Sequence, residues 1–224
     1  MKWEDEGYII SKRKFRENAI ILDVFTNKFG KVSGIVYGGN SRKIKNYLQL
    51  SNKIFIIYKS KNENKIGYFT TELIKPIAPK FFNDKDKILC LNSITTMLKS
   101  LLPENQSYSK LYIALDNLLN NFNEKNWLTR YVLWEIDLIN ILGFGFEIDP
   151  QFHNDELNNK FQNIQIDNTN YKIPNFIISK KTHNIQFDEL RIGLNFSRSI
   201  IENKFFNPNN LRIPNSRILL EKGF

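Results

Sequence analysis

The fold is decided by two apolar runs joined by a short turn: Ala19-Ile20-Ile21-Leu22-Asp23-Val24-Phe25-Thr26, then Asn27-Lys28-Phe29-Gly30, then Lys31-Val32-Ser33-Gly34-Ile35-Val36-Tyr37. β-Branched and aromatic residues dominate both runs, and each run has the length of a strand. Gly30 lies where a tight turn needs a positive φ, which glycine adopts without steric cost. The stretch therefore predicts a β-hairpin.

Further strands are predicted on both sides of this hairpin. Apolar segments at 7–11, 53–59 and 65–73 have strand length, and Pro76 and Pro79 end the strand-rich part of the chain. Five short strands, with a glycine-marked bend at Gly34 in the third, favour a small closed barrel. An OB-fold, which commonly binds oligonucleotides, and an SH3-like barrel both fit that number of strands.

After Pro79 the apolar residues recur with a period of 3.6, which is typical of helices. Four such stretches are 88–102, 111–122, 127–142 and 190–201, and Pro214 precedes a fifth, short helix at 215–220. The Asn-rich stretch at about 144–188 is predicted to be irregular. The expected fold is α+β multidomain: a five-stranded OB-fold-like barrel over 1–80, then a helical domain over 81–224 with a loop insertion.

The excess of positive over negative charge is confined to the first third of the chain. The formal net charge is +9, and residues 1–80, with 16 basic and 7 acidic side chains, account for all of it. Basic and acidic residues balance over 81–224. A charge asymmetry of this kind points to a polyanionic partner, nucleic acid first and an acidic membrane surface second.

Sequence signatures of enzymes are absent from the chain. It contains no GxxxxGK[ST], GxGxxG, HExxH or GxSxG motif, and each of these has a defined catalytic or phosphate-binding role. An enzyme with a helical catalytic domain would have to use the few candidates in or near the insertion: His153, Asp155, Glu156, Asp167 and His183. We therefore predict no catalytic residue and no cofactor.

Cysteine content and hydropathy narrow the class of protein further. The single cysteine, Cys90, excludes a disulfide framework and a zinc site built from several thiolates, and it falls on an apolar helical stripe. No apolar run approaches the roughly 20 residues of a membrane-spanning helix. Residues 1–6 do not resemble a secretory signal, so a cytoplasmic location is expected.

Basic side chains in three segments of the barrel are the candidates for binding a polyanion. Loops at one end of a small barrel converge, so segments distant in sequence can form one surface that contacts phosphates. Nearby aromatic residues can stack on bases, and they are Phe15, Tyr37, Tyr47, Tyr58, Tyr68 and Phe69. The basic candidates are Lys12, Arg13, Lys14 and Arg16 in a predicted turn, Arg42, Lys43 and Lys45 in a predicted loop, and, more weakly, Lys28 and Lys31.

An ordered set of segments over nearly the whole chain resembles the RecO family of recombination mediators. The segments are Trp3-Glu4-Asp5-Glu6-Gly7-Tyr8-Ile9-Ile10-Ser11, Arg16-Glu17-Asn18-Ala19-Ile20, Asp23-Val24-Phe25-Thr26, Gly30-Lys31-Val32, Gly38-Gly39-Asn40-Ser41-Arg42, Leu101-Leu102-Pro103-Glu104, Leu111-Tyr112, Tyr131-Val132-Leu133-Trp134-Glu135, Leu142-Gly143-Phe144-Gly145-Phe146 and Leu211-Arg212-Ile213-Pro214-Asn215-Ser216-Arg217. No single segment is diagnostic, but their order is fairly specific.

The resemblance implies a non-enzymatic DNA repair protein of the RecF pathway, cytoplasmic and nucleoid-associated, with no membrane partner. Such proteins bind single- and double-stranded DNA and anneal complementary strands. With RecR they help load RecA onto DNA coated by single-strand-binding protein, whose acidic and hydrophobic C-terminal tail binds the helical domain. Many members carry a four-cysteine zinc site after the Gly-Phe-Gly segment. Residues 147–187 contain no cysteine, so no zinc site is expected.

Three arginines of the helical domain are candidates for binding that tail. Arg130 begins the third predicted helix, where the family tends to carry arginine, and Arg191 and Arg198 share one face of the fourth. Arginine pairs with a terminal carboxylate or an acidic side chain while an adjacent groove takes an aromatic residue. The alternative function is an OB-type RNA-binding or ribosome-associated protein, which would share the basic barrel but prefer structured RNA.

Overall fold

The computed structural model describes residues 1–39, 41–61, 65–145 and 160–224, apart from the side chain of Lys43. The chain forms two compact units. The first comprises Met1–Tyr112 and Pro214–Leu220, and the second comprises Ile113–Ile213 and Glu221–Phe224. The predicted boundary at residue 80 coincides with the change from strands to helices, and as a domain boundary it stays a prediction.

The first unit contains a closed five-stranded barrel. Its strands are β1 (Lys2–Arg16), β2 (Ala19–Thr26), β3 (Gly30–Tyr37), β4 (Lys53–Lys59) and β5 (Gly67–Lys75), in the order β1-β2-β3-β5-β4. β1 pairs with β4 to close the barrel, and β3 runs parallel to β5. This topology belongs to the OB-fold. The predicted OB-fold-like barrel is confirmed, and the SH3-like alternative is not adopted.

Alternate side chains of the strands fill the barrel. The buried cluster consists of Ile9, Ile20, Leu22, Val24, Val32, Val36, Leu48, Ile54, Ile56 and Phe69. Gly34 faces this cluster, and a Cβ on it would lie 2.5 Å from the ring of Phe69. Gly34, which was predicted to mark a bend, is therefore needed because the Phe69 ring occupies the space that a side chain at position 34 would fill.

Two segments predicted to be turn or loop are regular structure. Residues 12–16 belong to β1, which pairs with β2 as far as Arg16 and Ala19, because the two residues Glu17 and Asn18 suffice to close the hairpin. Residues 42–47, expected in a basic loop, form helix α1 (Arg42–Tyr47). Ile44 and Tyr47 of α1 pack against the barrel core and form the apolar side of the helix. The basic residues of the helix make this apolar side hard to detect in the sequence.

The predicted helices are confirmed. They are α2 (Lys85–Leu101), α3 (Ser109–Asn120), α4 (Trp127–Ile139), α6 (Phe187–Ile201) and α7 (Asn215–Lys222), and a 3₁₀ helix spans Ala78–Phe81 before α2. π-Helical turns extend α4 over Asn140–Phe144 and α6 over Glu202–Phe206. Asp84 caps α2, because its side chain accepts a hydrogen bond from the Lys87 N–H. Cys90 is fully buried on α2.

A buried polar network joins α4 to α6 in the second unit. The carboxylate of Glu135, which is inaccessible to solvent, accepts hydrogen bonds from the hydroxyls of Tyr131 and Ser197, each at 2.6 Å. A buried carboxylate needs such donors because burial removes its water ligands. The network therefore fixes how these two helices pack.

The insertion predicted to be irregular over 144–188 contains regular structure in its described part. Strands β6 (Phe161–Ile166) and β7 (Thr169–Pro174) form an antiparallel hairpin, and helix α5 (Asn175–Ser179) follows. Asp167 and Asn168 both have positive φ in the hairpin turn, a conformation that Asp and Asn tolerate. The prediction was wrong here because polar Asn and Gln side chains mask the strand alternation.

Several predictions fall on residues that lie outside the described part of the chain. They concern His153, Asp155 and Glu156. Among the described residues, no group of three or more His, Cys, Asp or Glu side chains is placed to hold a metal ion. In the same residues, no helix is both long and apolar enough to span a membrane.

Candidate functional site

The hairpin of β1 and β2 extends as a two-stranded ribbon at one end of the barrel. β4 pairs with β1 only over Lys2–Tyr8, so the ladder of β1 beyond Ser11 is made with β2 alone. Residues 12–16 are consequently all exposed. The basic side chains of this segment are displayed on a ribbon of paired backbone instead of a flexible turn.

The register divides the basic residues of the ribbon between its two faces. Lys12 and Lys14 pair with Leu22 and Ile20, whose side chains point into the barrel. Arg13 pairs with Ile21, which lies between Ile20 and Leu22 on the strand and so faces the opposite side. Directly opposed residues share a face of the sheet, so the ribbon is basic on both sides.

Lys12 lies beside helix α1 in an open pocket of about 570 Å³, the basic pocket, which is lined by Lys12, Arg42, Lys45, Asn46 and Gln49. The Nζ of Lys12 donates a hydrogen bond to the Leu48 carbonyl at 2.7 Å. Partial desolvation of the ammonium group, and then the nearby charge of Lys45, lower the pKa of Lys12 below its usual value. Three cations lie here with no carboxylate among the lining residues, so an anion bound in the pocket relieves their mutual repulsion.

Helix α1 and the link that follows it bring into the basic pocket residues that were not predicted from the sequence, Asn46 and Gln49. Lys45 and Asn46 follow Arg42 by three and four residues, so these three lie on one face of the helix, and Gln49 lies just beyond the end of the helix. Interpreting the segment as a loop hid this periodicity. Lys43 lies on the same helix, and its side chain is outside the described part of the chain.

The remaining basic candidates are not gathered in the basic pocket. Arg13 is 56% exposed, and its guanidinium lies 4.0 Å from the Asp23 carboxylate on the outer face. Lys28 lies in the β2–β3 turn, at the barrel end opposite the ribbon tip. Lys31 donates through Nζ to the Lys99 carbonyl of α2 at 2.9 Å. The structure therefore places Lys28 and Lys31 apart from the basic pocket.

Exposed aromatic rings lie at the ribbon end of the barrel. Tyr37 at the end of β3 stacks on Tyr68 of β5, with ring centroids 5.3 Å apart, and the two side chains are 57% and 41% exposed. A hydrogen bond with the Tyr68 hydroxyl raises the pKa of Tyr37. The guanidinium of Arg16 lies over the exposed ring of Phe15. The other predicted stacking residues, Tyr47, Tyr58 and Phe69, belong to or pack against the barrel core.

Two family models match the chain in sequence. "Recombination protein O N terminal" matches residues 1–77, which contain the barrel, and "Recombination protein O C terminal" matches residues 83–203. The chain belongs to the RecO family. The resemblance drawn from the ordered segments is therefore confirmed.

Curated relatives of this RecO chain carry the name DNA repair protein RecO. The chain is 32% identical over 150 residues to the protein of Roseobacter denitrificans, a match covering 66% of this chain and 62% of the relative. It is 36% identical over 152 residues to the protein of Hyphomonas neptunium, covering 66% and 63%. The match thus spans less than two thirds of either relative. A solved structure, Entamoeba histolytica asparaginyl-tRNA synthetase, aligns at 11% identity with a TM-score of 0.31 over 96% of this chain and 60% of its own, a similarity too low to support any argument.

In the second unit of the RecO chain, Arg130 borders a groove of about 160 Å³. Its guanidinium donates to Glu124 Oε2 at 2.8 Å and to Asn126 Oδ1 at 3.3 Å. Trp134 also lines the groove, and its buried Nε1 has no hydrogen-bond partner among the described residues. The other lining residues are Ala114, Asn117, Leu118, Leu133, Ile136, Asp137, Ile177, Lys180 and Thr182. This surface, the Arg130 groove, combines an apolar wall with a rim on which Arg130 is paired with Glu124 and Lys180 with Asp137.

The other two candidate arginines lie elsewhere in the second unit. Arg198 donates to Glu221 Oε2 at 2.7 Å and to Glu202 Oε2 at 3.3 Å, so its charge is already neutralised. Arg191 is exposed and lines a different groove, together with Lys172 and Lys222. The structure therefore does not bring Arg130, Arg191 and Arg198 into one site.

Proposed function

We propose that this RecO chain is a non-enzymatic mediator of DNA repair and recombination that binds and anneals single-stranded DNA. The observation that carries the proposal is the convergence of Lys12, Arg42 and Lys45 in a pocket with no carboxylate in its lining. The relatives named DNA repair protein RecO support the same class of function.

The chemistry of the barrel surface suits a flexible strand. Lysine and arginine in the basic pocket neutralise phosphates and release condensed counterions, which gives affinity without sequence preference. The exposed Tyr37–Tyr68 pair offers a face on which a base can stack. Contacts made to phosphates and base faces leave hydrogen-bonding edges free, so a second strand can pair while the first is held. Annealing follows because neutralised phosphates repel the incoming strand less.

The proposal extends to the partners that the family implies. The partners are double-stranded DNA, RecR and the C-terminal tail of single-strand-binding protein. With RecR, the protein helps load RecA. It acts in the cytoplasm, in association with the nucleoid. An acidic, hydrophobic tail suits the Arg130 groove because a carboxylate of the tail can replace Glu124 as the partner of Arg130. The apolar wall, which includes Trp134, accepts an aromatic side chain.

Annealing through the coat protein tests the proposed function. Two complementary oligonucleotides, each coated with single-strand-binding protein, are mixed with this chain at two salt concentrations, and duplex formation is followed by fluorescence. We expect accelerated annealing that weakens at higher salt. No annealing, together with no binding of single strands at low salt, contradicts the proposal. A preference for a structured RNA hairpin over single-stranded DNA supports the RNA-binding alternative instead.

The variant Arg130→Ala is expected to bind a labelled peptide of the coat-protein tail about 10-fold to 100-fold more weakly, because a hydrogen bond to a charged group contributes about 1.5–3 kcal/mol. Fluorescence anisotropy measures the affinity. The matched control is Lys125→Ala, since Lys125 is an exposed cation that does not line the groove. Equal losses in both variants would show that overall charge, and not the groove, attracts the tail.

A further inference from the structure

A second pocket, which we call the apolar pocket, lies in the barrel unit and encloses about 260 Å³. Three segments form it: the link between α1 and β4, the 3₁₀ helix before α2, and the first half of α2. Its lining residues are Gln49, Leu50, Ser51, Ala78, Phe82, Ile88, Leu91 and Asn92. Apolar side chains dominate, and three polar side chains interrupt them.

The apolar pocket adjoins the basic pocket. Gln49 lines both pockets, and Leu50, the next residue, lines the apolar pocket. A ligand that extends from one pocket into the other therefore meets three cations first and an apolar wall next. Among the described residues, no carboxylate lines either pocket. The combined surface is thus complementary to a polyanion that carries apolar groups.

Two features mark the apolar pocket as a binding surface. Phe82 lines it with 72% of its surface exposed, so the face of its ring is accessible to a ligand. Ser51 has a φ of +68° and is 2% exposed, and its Oγ has no hydrogen-bond partner in the described part of the chain. A left-handed serine and an unsatisfied buried hydroxyl both cost free energy, and such strain concentrates at functional sites.

We propose that the apolar pocket receives one unstacked base of the single strand whose phosphates lie in the basic pocket. The proposal rests on the function proposed above. The Phe82 ring stacks on the face of the base, and the Gln49, Asn92 and Ser51 side chains line the wall where the hydrogen-bonding edge of the base arrives. Base-flipping and single-strand-binding proteins combine the same two elements, an aromatic face and polar groups at the edge.

A base fits this surface better than the apolar side chain of a peptide. An aliphatic or aromatic anchor would cover the Ser51 hydroxyl, which has no hydrogen-bond partner among the described residues, without giving it one. The edge of a base supplies both donors and acceptors. A nucleotide also carries its phosphate next to its base, which matches the adjacency of the basic and apolar pockets.

Matched oligonucleotides with and without bases test the inference. The probes are a labelled deoxythymidine oligomer and an abasic oligomer with the same number of phosphates, and the variant is Phe82→Ala. We expect the variant to bind the deoxythymidine oligomer between about fivefold and 100-fold more weakly, because one stacked base contributes about 1–3 kcal/mol. Its affinity for the abasic oligomer, and the slope of its salt dependence, are expected to match those of the unaltered chain.

The control variant is Ile113→Ala, since Ile113 is a large apolar residue that is 63% exposed and lines neither pocket. If Phe82→Ala retains full affinity for the deoxythymidine oligomer, or loses affinity for both oligomers to the same extent, the base pocket is refuted. DNA binding by the chain is unaffected by that result. If the unaltered chain binds neither oligomer, the proposed function itself fails. A Phe82-dependent affinity for an acidic peptide, with none for bases, would assign the pocket to a peptide and overturn the inference.

Discussion

Replacing Lys12, Arg42 and Lys45 together by alanine is expected to lower the affinity for a single-stranded oligonucleotide about 100-fold at about 0.1 M salt. Each phosphate contact to a single strand contributes about 0.7 to the slope of log affinity against log salt concentration, which corresponds to about fivefold in affinity at that salt concentration. The basic pocket holds three cations, so the slope is expected to decrease by about two. Fluorescence anisotropy at several salt concentrations measures the affinity and the slope.

The control for this variant changes the same charge at another place. Lys85, Lys110 and Lys125 are exposed lysines that line neither pocket of the barrel unit. Their triple alanine variant loses three positive charges, and we expect it to lose only the small part of the affinity that depends on long-range attraction. Equal losses in the two triple variants would show that net charge, and not the basic pocket, determines binding.

A folding defect of the pocket variant is distinguishable from a binding defect. Arg42 and Lys45 are exposed, and Lys12 makes one hydrogen bond to the Leu48 carbonyl, so the triple variant is expected to unfold cooperatively with nearly unchanged stability. Its melting curve provides the check. Because the cations of the pocket repel one another, removing them also relieves that repulsion, which works against a loss of stability.

The barrel could be predicted from the sequence because its strands are short runs rich in β-branched and aromatic residues, separated by turn residues. Strand β2 lies at Ala19–Thr26 as expected, since β-branched residues there face a single core. Helix α1 could not be predicted because basic residues make up half of its short length, and its apolar side is evident only from its packing on the barrel. The β6–β7 hairpin was missed for a related reason, since its polar residues face solvent and leave little periodicity to detect.

The candidate site was predictable in residue type but not in arrangement. The basic residues of the ribbon and of α1 were selected correctly as a class, yet the sequence alone could not separate Lys12 and Lys45, which share a pocket, from Lys28, which lies at the other end of the barrel. The apolar pocket was not predictable at all. Its walls come from three segments that become neighbours only when α2 packs beside the barrel.

The substitution Gly30→Ala is expected to destabilise the barrel unit by about 2–5 kcal/mol. Gly30 has a φ of +70°, and a left-handed conformation costs a non-glycine residue about 1–2 kcal/mol. A Cβ at this position would overlap the backbone carbonyl of Gln106, which cannot rotate away as a side chain can. Forcing extra volume into such a contact costs about 1–3 kcal/mol more. Urea denaturation, analysed at constant m-value, measures the total.

Gly38→Ala is the matched control because it separates the two causes. Gly38 has a φ of +67°, and the nearest atom to its Cβ would be Ile44 Cδ1 at 3.8 Å, an ordinary van der Waals contact. This variant is therefore expected to lose only the conformational part, about 1–2 kcal/mol. Asn105 N–H donates to the Lys31 carbonyl at 2.9 Å, which holds the segment containing Gln106 against β3. If both variants lose the same free energy, that segment moves aside in solution, and the additional cost assigned to Gln106 is wrong.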